Sequence, residues 1–181
     1  LRRTGRGAMG LVEAGLWAKC GANEAGIALA TNALQSSRDK GAPGVPYHAI
    51  LRRVLTSVSL DEAVSEVVDR ERASSANYLI GSSGGQIVDL EVAPGGADMA
   101  WKIEGNTLCH ANHFVRPDRA FKDLALLDGR ESPMRHAALE ASTGERPIDA
   151  ATLEQALRAH AGSHRGDGSV CAHADPTQPP E

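Results

Sequence analysis

The residues whose types could carry chemistry gather in residues 108–114, which read Leu-Cys-His-Ala-Asn-His-Phe. A thiol, two imidazoles and a carboxamide are an unusual choice for an apolar core, but catalytic and ligand-binding sites use all of them. The carboxamide of Asn112 is a neutral N–H donor that could stabilise a negative charge developing in a reaction. In the alternative interpretation, Asn112 ends a strand and satisfies its own backbone.

Zinc binding is the main alternative chemistry for the same stretch. Cys109, His110 and His113, together with Cys171 and His173, carry the thiol and imidazole groups that bind zinc. Their spacing fits no standard zinc knuckle, and adjacent residues of a strand point to opposite faces. We therefore expect no metal site and interpret Cys109 as an ordinary strand thiol.

Other polar residues favour structural roles. His48 stands at the start of a predicted helix, where capping or packing is the simpler function. Asn23 and Glu24 lie in a turn flanked by glycines, and we expect them to shape that turn. Asp89 and Glu91 share one face of a predicted strand, which we interpret as a solvated face or a source of ion pairs.

Composition limits the classes of protein that this chain can be. Its 181 residues suffice for one domain with a core, and 3% aromatic residues require that core to be aliphatic. A net charge of −4 with no block of lysine or arginine excludes a nucleic-acid partner. No apolar run approaches the roughly 20 residues that cross a bilayer. Three widely spaced cysteines argue against a disulfide framework, so we expect a cytoplasmic protein without a membrane partner.

Two groups of strands are predicted around the candidate site. Residues 8–18 and 26–34 are short and apolar, and a turn containing Asn and Gly over 19–26 predicts that they pair. From 77 to 110, short apolar segments alternate with glycine-rich turns, which predicts an antiparallel meander. Its last strand, over 107–110, would deliver the polar side chains to a sheet edge.

Helical periodicity predicts four helices in two pairs. Pro46 can occupy the opening turn of the first, and Ser59 with Glu62 forms a capping box for the second. A short helix around Met134 follows later, and Asp149 caps the last one. Strands, helices, strands and helices in this order predict an α+β domain whose helices cover a mainly antiparallel sheet.

Short motifs along nearly the whole chain follow the order and spacing of one known family. The motifs are 13–15 (Glu-Ala-Gly), 21–26 (Gly-Ala-Asn-Glu-Ala-Gly), 32–34 (Asn-Ala-Leu), 44–48 (Gly-Val-Pro-Tyr-His), 72–78 (Arg-Ala-Ser-Ser-Ala-Asn-Tyr), 89–91 (Asp-Leu-Glu), 110–114 (His-Ala-Asn-His-Phe), Ser132 with Arg135, and 168–173 (Gly-Ser-Val-Cys-Ala-His). The ordered set resembles the acyl-coenzyme A:6-aminopenicillanate acyltransferase family, also called isopenicillin-N acyltransferase-like proteins, which are N-terminal-nucleophile hydrolases.

The resemblance implies an αββα sandwich with mainly antiparallel sheets, partial at both ends, in one domain over residues 1–181. The composition of the C-terminal residues, rich in Gly, His and Pro, predicts a loose tail at about 174–181. The resemblance also implies attack on a small-molecule amide or thioester by an N-terminal cysteine. The resulting acyl-enzyme is resolved by water or an amine. No resident cofactor is implied, although acyl-coenzyme A could serve as a co-substrate.

The resemblance also assigns roles to individual residues. Asn112 takes the oxyanion-binding position, while Arg135 and His113 would orient the site or bind the substrate. Arg135 could equally be a helix residue that forms ion pairs and stabilises the fold. Ala172 stands where the family pattern carries an arginine, so the resemblance does not say how a substrate carboxylate or carbonyl is held there.

Family members cleave themselves before the nucleophilic cysteine, which would precede every motif matched here. This chain alone is therefore expected to be an inactive fragment of the enzyme. A third interpretation is a non-catalytic domain that associates with itself. A truncated sheet has unpaired strand edges, which favour association between copies and leave a homo-oligomer open.

Overall fold

Residues 7–41, 43–95, 100–103, 107–116, 120–127, 131–144, 148–160 and 170–171 are described by the computed structural model. The α+β fold class predicted from the sequence is confirmed. The predicted loose tail, Ala172 and His173 lie outside the described residues. The elements within them are, in chain order, β1 (Ala8–Leu11), β2 (Cys20–Asn23), β3 (Ile27–Ala33), α1 (Tyr47–Val54), α2 (Leu60–Val68), β4 (Ala76–Ser82), β5 (Ile87–Val92), β6 (Ala100–Ile103), α3 (Glu131–Thr143) and α4 (Ala150–Leu157).

The strands form one antiparallel sheet in simple chain order, from β1 to β6. The longest ladder joins β3 to β4, and it runs from Ile27 opposite Ser82 to Ala33 opposite Ala76. A tight turn containing Gly85, whose φ is 82°, leads from β4 into β5. Within the described ranges there is this one sheet, and no second sheet of the expected αββα sandwich lies among them.

The prediction of a single strand over residues 8–18 is wrong. Strand β1 ends at Leu11, and β2 (Cys20–Asn23) pairs with it inside the stretch predicted to be a turn. Glycines make this pairing tight, because a Cβ on Gly10 would lie 2.2 Å from the carbonyl oxygen of the facing strand. Gly21, its pairing partner, has the same restriction against β1. Glycine therefore permits close contact between the strands here, although in the sequence it resembles a turn signal.

Asn23 closes the turn between β2 and β3 and ties it to the end of the α1 region. Its Oδ1 accepts hydrogen bonds from the backbone N–H groups of Ala25 and Ile27, both at 3.0 Å. Its Nδ2 donates to the carbonyl oxygens of Leu55 and Ser57, at 3.1 and 2.8 Å. The turn-shaping role expected of Asn23 is therefore confirmed.

Helices α1 and α2 cover one face of the sheet, as their apolar periodicity predicts. Ser59 Oγ accepts a hydrogen bond from the Glu62 backbone at 3.2 Å, so the predicted cap of α2 is present. The Glu62 carboxylate binds the N–H of Val58 at 2.7 Å. Each large aliphatic side chain buried between helices and sheet stabilises the fold by about 1.5–3 kcal/mol. The fully buried ones include Ile27, Ile50, Leu51, Val54, Val67, Ile80, Leu90 and Val92.

The opposite face of the sheet is polar where β4 meets β5. Asn77 pairs with Glu91, and Asp89 lies on the same face two residues earlier. These three residues are 0%, 2% and 3% exposed in the order Asn77, Glu91, Asp89. The expectation of a solvated face is therefore wrong, because residues 107–116 cover it. The expectation of ion pairs holds for Glu91, which pairs with His110.

The predicted strand over 107–110 is also wrong, because these residues have no regular secondary structure. The helix around Met134 is longer than predicted, and Asp149 caps α4 by accepting from the Thr152 N–H at 2.7 Å. Among the described residues, no helix has the length and apolar character needed to span a bilayer.

Candidate active site

Residues 107–116, which we call the site loop, lie between the polar face of the sheet and helix α3. The loop is anchored at its far end by Phe114, which is buried against Phe121, with ring centroids 4.9 Å apart. The Phe114 N–H donates to the Asp123 carboxylate at 2.7 Å. An apolar anchor beside a charge-assisted hydrogen bond limits the positions that the preceding residues can adopt.

The carboxamide of Asn112 is bound on both sides. Its Oδ1 accepts a hydrogen bond from Arg135 Nη2 at 3.1 Å. Its Nδ2 donates to the carbonyl oxygen of Ala33, at the end of β3, at 3.1 Å. A guanidinium carries donors and no acceptor, so Arg135 must face the amide oxygen. The NH₂ group of Asn112 is consequently directed toward the end of β3.

Ser132 connects the backbone of the site loop to the first turn of α3. Its Oγ accepts from the Asn112 N–H at 2.7 Å and lies 2.8 Å from His113 Nδ1. Because the hydroxyl has one hydrogen, it can donate that hydrogen to His113 while accepting from Asn112. Ser132 is buried, so we interpret it as a link between loop and helix and not as a nucleophile.

His113 is held as a neutral imidazole. Burial and the neighbouring rings of His136 and His110 lower the pKa of His113 below its ordinary value. The His136 ring packs edge-on against His113, with centroids 5.6 Å apart, and its Nε2 lies 3.1 Å from the Cys109 carbonyl oxygen. A neutral His113 can accept the Ser132 hydrogen at Nδ1.

A buried ion pair lies on the sheet side of the loop. His110 Nε2 is 2.8 Å from Glu91 Oε1, and both side chains are 1% exposed. Burial raises the pKa of the Glu91 carboxyl. The hydrogen bond from His110 lowers this pKa, and so do the bonds from the Val115 and Arg116 N–H groups. The net result is a Glu91 pKa below its usual range. Glu91 is therefore an anion at neutral pH.

Asp89 contributes a second acidic group beside this pair. Burial raises the pKa of Asp89, against the opposing effects of His110 and a hydrogen bond from the Asn77 carboxamide. Two carboxyl groups on one strand face therefore differ in their environments. At Glu91 the hydrogen bonds from His110 and from two backbone N–H groups outweigh burial and lower the pKa, whereas at Asp89 burial outweighs the opposing effects and raises the pKa.

Cys109 does not have the properties of a nucleophile. Its Sγ lies 3.4 Å from Thr143 Oγ1, and burial raises the pKa of the thiol. A raised pKa reduces the thiolate fraction at neutral pH. Across the ranges that the structure describes, no group of three His, Cys, Asp or Glu residues could hold a metal ion. The zinc alternative thus has no support from the described residues, and His173 lies outside them.

The structure brings together the three residues singled out from the sequence. Asn112, His113 and Arg135 lie around the start of α3 and are joined directly or through Ser132. His48 is separate, with Nδ1 2.9 Å from the Ala18 carbonyl oxygen, as expected for a structural residue. Sequence reasoning missed Glu91 and His110 as members of the site. The available signal was the pair of carboxylates, Asp89 and Glu91, in a strand that is otherwise apolar.

Residues 16–171 match the sequence profile of a family described as acyl-coenzyme A:6-aminopenicillanic acid acyl-transferase. The match begins before β2 and extends past α4. It therefore includes the whole site loop, the polar strand β5 and the start of α3, which carry Glu91, His110, Asn112, His113, Ser132 and Arg135.

Proposed function

We propose a specific acyl-transfer chemistry for this chain, because it belongs to the acyl-coenzyme A:6-aminopenicillanic acid acyltransferase family. In the proposed reaction a cysteine thiolate attacks the carbonyl carbon of a small-molecule amide or thioester. The carbonyl oxygen becomes an oxyanion, and collapse of the tetrahedral intermediate expels the amine or thiol. Water or an amine then attacks the acyl-enzyme and frees the cysteine. Acyl-coenzyme A is a candidate co-substrate, and no resident cofactor is needed for these steps.

The proposed oxyanion donor is Asn112, and the orientation of its carboxamide is the observation that supports this role. Arg135 donates a hydrogen bond to the amide oxygen of Asn112, so the NH₂ group of Asn112 lies at the end of β3. That nitrogen has two hydrogens, and the bond to Ala33 O uses one of them. A donor whose orientation is set before the reaction avoids the cost of reorganisation and can contribute about 3–4 kcal/mol to transition-state stabilisation.

Arg135 and His113 are proposed to orient Asn112, Arg135 through the Asn112 side chain and His113 through the Asn112 backbone. Arg135 binds the side-chain oxygen of Asn112, and His113 binds the same Ser132 hydroxyl that accepts from the Asn112 N–H. Both contacts lie at the start of α3, so the helix holds the loop from one side. Neither residue needs to touch the substrate in order to affect the rate.

The proposed nucleophile is a cysteine that precedes these residues in the full-length protein and is freed by self-cleavage. Its own α-amino group is the proposed base. Within this chain, the raised pKa of Cys109 and its contact with Thr143 make that thiol a poor candidate. Cys20 lies in strand β2.

The test uses the full-length gene product, including whatever residues are encoded before Leu1. Mass spectrometry of the purified protein should show cleavage directly before a cysteine, and a panel of small amides and thioesters should be hydrolysed. Replacing the cleavage-site cysteine by alanine should abolish both. Finding neither cleavage nor turnover in the unmodified protein contradicts the proposal.

The variant Asn112→Ala tests the oxyanion role. It should lower kcat by about two to three orders of magnitude, because one oxyanion donor is lost. Gln155→Ala, which removes an exposed carboxamide on α4, is the matched control and should leave kcat unchanged. An Asn112→Ala enzyme with the unmodified rate would remove Asn112 from this role without affecting the rest of the proposal.

A further inference from the structure

We propose that Glu91 is a positioning residue that holds Asn112 in place by binding both flanks of the site loop with one buried carboxylate. The proposal rests on the oxyanion role proposed for Asn112. It adds a second support for that side chain, on the sheet side of the loop, to the one that α3 supplies.

The contacts of Glu91 bracket Asn112 in the chain. On the near flank, Oε1 accepts from His110 Nε2 at 2.8 Å. On the far flank, the same carboxylate accepts from the Val115 N–H at 2.5 Å and from the Arg116 N–H at 3.2 Å. Residues 111–114 are therefore the span between two attachment points on a single side chain of β5. A rigid strand is a better support for such a span than the loop itself.

The near attachment requires a charged imidazole. His110 Nδ1 lies 2.7 Å from the Ala111 carbonyl oxygen, and Nε2 lies 2.8 Å from Glu91 Oε1. Both of these oxygens accept hydrogen bonds from His110, so both ring nitrogens must carry a hydrogen. The geometry thus identifies His110 as an imidazolium. Burial alone would lower the His110 pKa, but Glu91 and Asp89 raise it above its ordinary value, in agreement with the geometry.

The charges around His110 favour this protonation state. Glu91 and Asp89 face it from β5, and Glu91 is the hydrogen-bonded anion. His136 faces it from α3, with ring centroids 6.5 Å apart, and His113 lies nearby on the loop. The lowered pKa of His113 favours its neutral form, which limits repulsion among the three rings.

A pH-dependent site follows from this arrangement. When His110 loses one proton, one of its ring nitrogens becomes an acceptor that faces an oxygen acceptor. The hydrogen bond at that nitrogen, to either Glu91 or Ala111, is then lost. The near flank of the loop is then released, and Asn112 loses one of its supports. Turnover should fall as pH rises through the His110 pKa, because a small displacement of a catalytic group has a large effect on rate.

Nuclear magnetic resonance of the unmodified full-length protein, with ¹⁵N-labelled histidine and asparagine, tests the charge state without any activity. At pH 7, both ring nitrogens of His110 should carry hydrogens. The side-chain NH₂ signal of Asn112 should shift with the same midpoint as the His110 titration. A neutral His110 at pH 7, or an Asn112 signal that does not respond, overturns the proposal.

The variant Glu91→Gln tests the positioning role in the reaction. It removes the anion but keeps the shape of the side chain, so the His110 pKa falls and the alkaline limb of the kcat profile should move to lower pH. At neutral pH, kcat should fall roughly 10- to 100-fold with little change in KM. The control is Glu66→Gln, since Glu66 is also a carboxylate with several partners, the side chains of Arg53 and Arg70, but lies on α2, across the sheet. It should leave both the rate and the profile unchanged.

The outcomes separate this inference from the proposed function. An active enzyme whose alkaline limb does not move in Glu91→Gln keeps the proposed function and overturns the positioning role. A full-length protein without acyl-transfer activity contradicts the proposed function, and the magnetic resonance measurement then decides the link between His110 and Asn112 independently. If Glu91→Gln does not fold, the titration of the unmodified protein gives the same decision.

Discussion

Arg135 Nη2 donates a hydrogen bond to Asn112 Oδ1 at 3.1 Å, between residues that lie 23 positions apart in the chain. The bond joins the first turns of α3 to the centre of the site loop. It decides which end of the carboxamide faces β3, because a guanidinium can only donate. Arg135 therefore orients the neutral NH₂ donor of Asn112 that oxyanion binding needs, and Arg135 itself need not contact the substrate.

Arg135→Ala should reduce kcat about tenfold, because the Asn112 carboxamide can then rotate and present its oxygen to the oxyanion. Arg135→Lys should recover part of the loss, since an ammonium also donates to Oδ1 but lacks the planar fork. Steady-state kinetics on the full-length enzyme give both values. Arg158→Ala, which removes an exposed arginine paired with Glu154 on α4, is the control. Equal rates for Arg135→Ala and the unmodified enzyme would exclude the orienting role.

Ser132→Ala should destabilise the fold by about 1–3 kcal/mol, because the Asn112 N–H and His113 Nδ1 lose their buried partner. Urea unfolding followed by circular dichroism measures this difference. Ser142→Ala is matched to it, since Ser142 lies on the same helix and its exposed hydroxyl donates to the Ala138 carbonyl oxygen in the preceding turn. The control should change stability by less than about 0.5 kcal/mol. Equal losses in the two variants would contradict the linking role of Ser132.

The stability of the protein should depend on pH through the Glu91–His110 pair. The folded-state pKa of His110 is raised above its ordinary value of 6.5, so the folded protein binds more protons than the unfolded chain. This contribution is complete below pH 6.5 and is lost as pH rises through the folded-state pKa. Glu91 affects stability at acid pH, because its pKa in the folded protein lies below the ordinary value of 4.5. The stabilisation by its charged form is present above pH 4.5 and is lost as pH falls through the folded-state pKa.

Thermal melts at a series of pH values measure this dependence. His113 has the opposite sign from His110, because its lowered pKa favours the folded state above pH 6.5. The comparison that isolates the pair is therefore between the unmodified protein and Glu91→Gln. Their stability difference should shrink as pH rises above 6.5 and as it falls below 4.5. A difference that is constant over the whole range would show that the pair does not titrate as described.

Cys109→Ala should leave kcat within about twofold of the unmodified value, since neither the proposed nucleophile nor the oxyanion donor is altered. The thiol should also react slowly with iodoacetamide at pH 7, because burial raises its pKa. Zinc analysis of the same preparations is a further check. Stoichiometric zinc that disappears in Cys109→Ala and in His113→Ala would instead favour the metal-binding interpretation.

Local patterns predicted the elements whose side chains repeat at a regular period. The apolar face of α1, the Ser59 cap of α2 and the Asp149 cap of α4 depend on residues within four positions of one another. The antiparallel meander was predicted for the same reason, since each of its turns joins neighbouring segments. The order of short motifs identified the family and placed Asn112 among the candidate residues.

Contacts between distant residues could not be predicted in this way. The stretch 107–110 is not a strand, and its last residue, His110, contacts β5 through the Glu91 carboxylate. Cys20–Asn23 is a strand because glycines allow a close backbone approach, and a single sequence does not separate that use of glycine from a turn. In both cases the deciding partner lies outside the local pattern.

The sequence by itself determined the fold class, the family and the identity of the proposed oxyanion donor. Only the tertiary structure decided that Asp89 and Glu91 are buried, that His110 carries a charge, and which way the Asn112 carboxamide faces. The physical reason is the origin of each property. Periodicity and motif order are encoded in neighbouring residues, whereas charge state and orientation depend on the acceptors and donors that folding brings within about 3 Å.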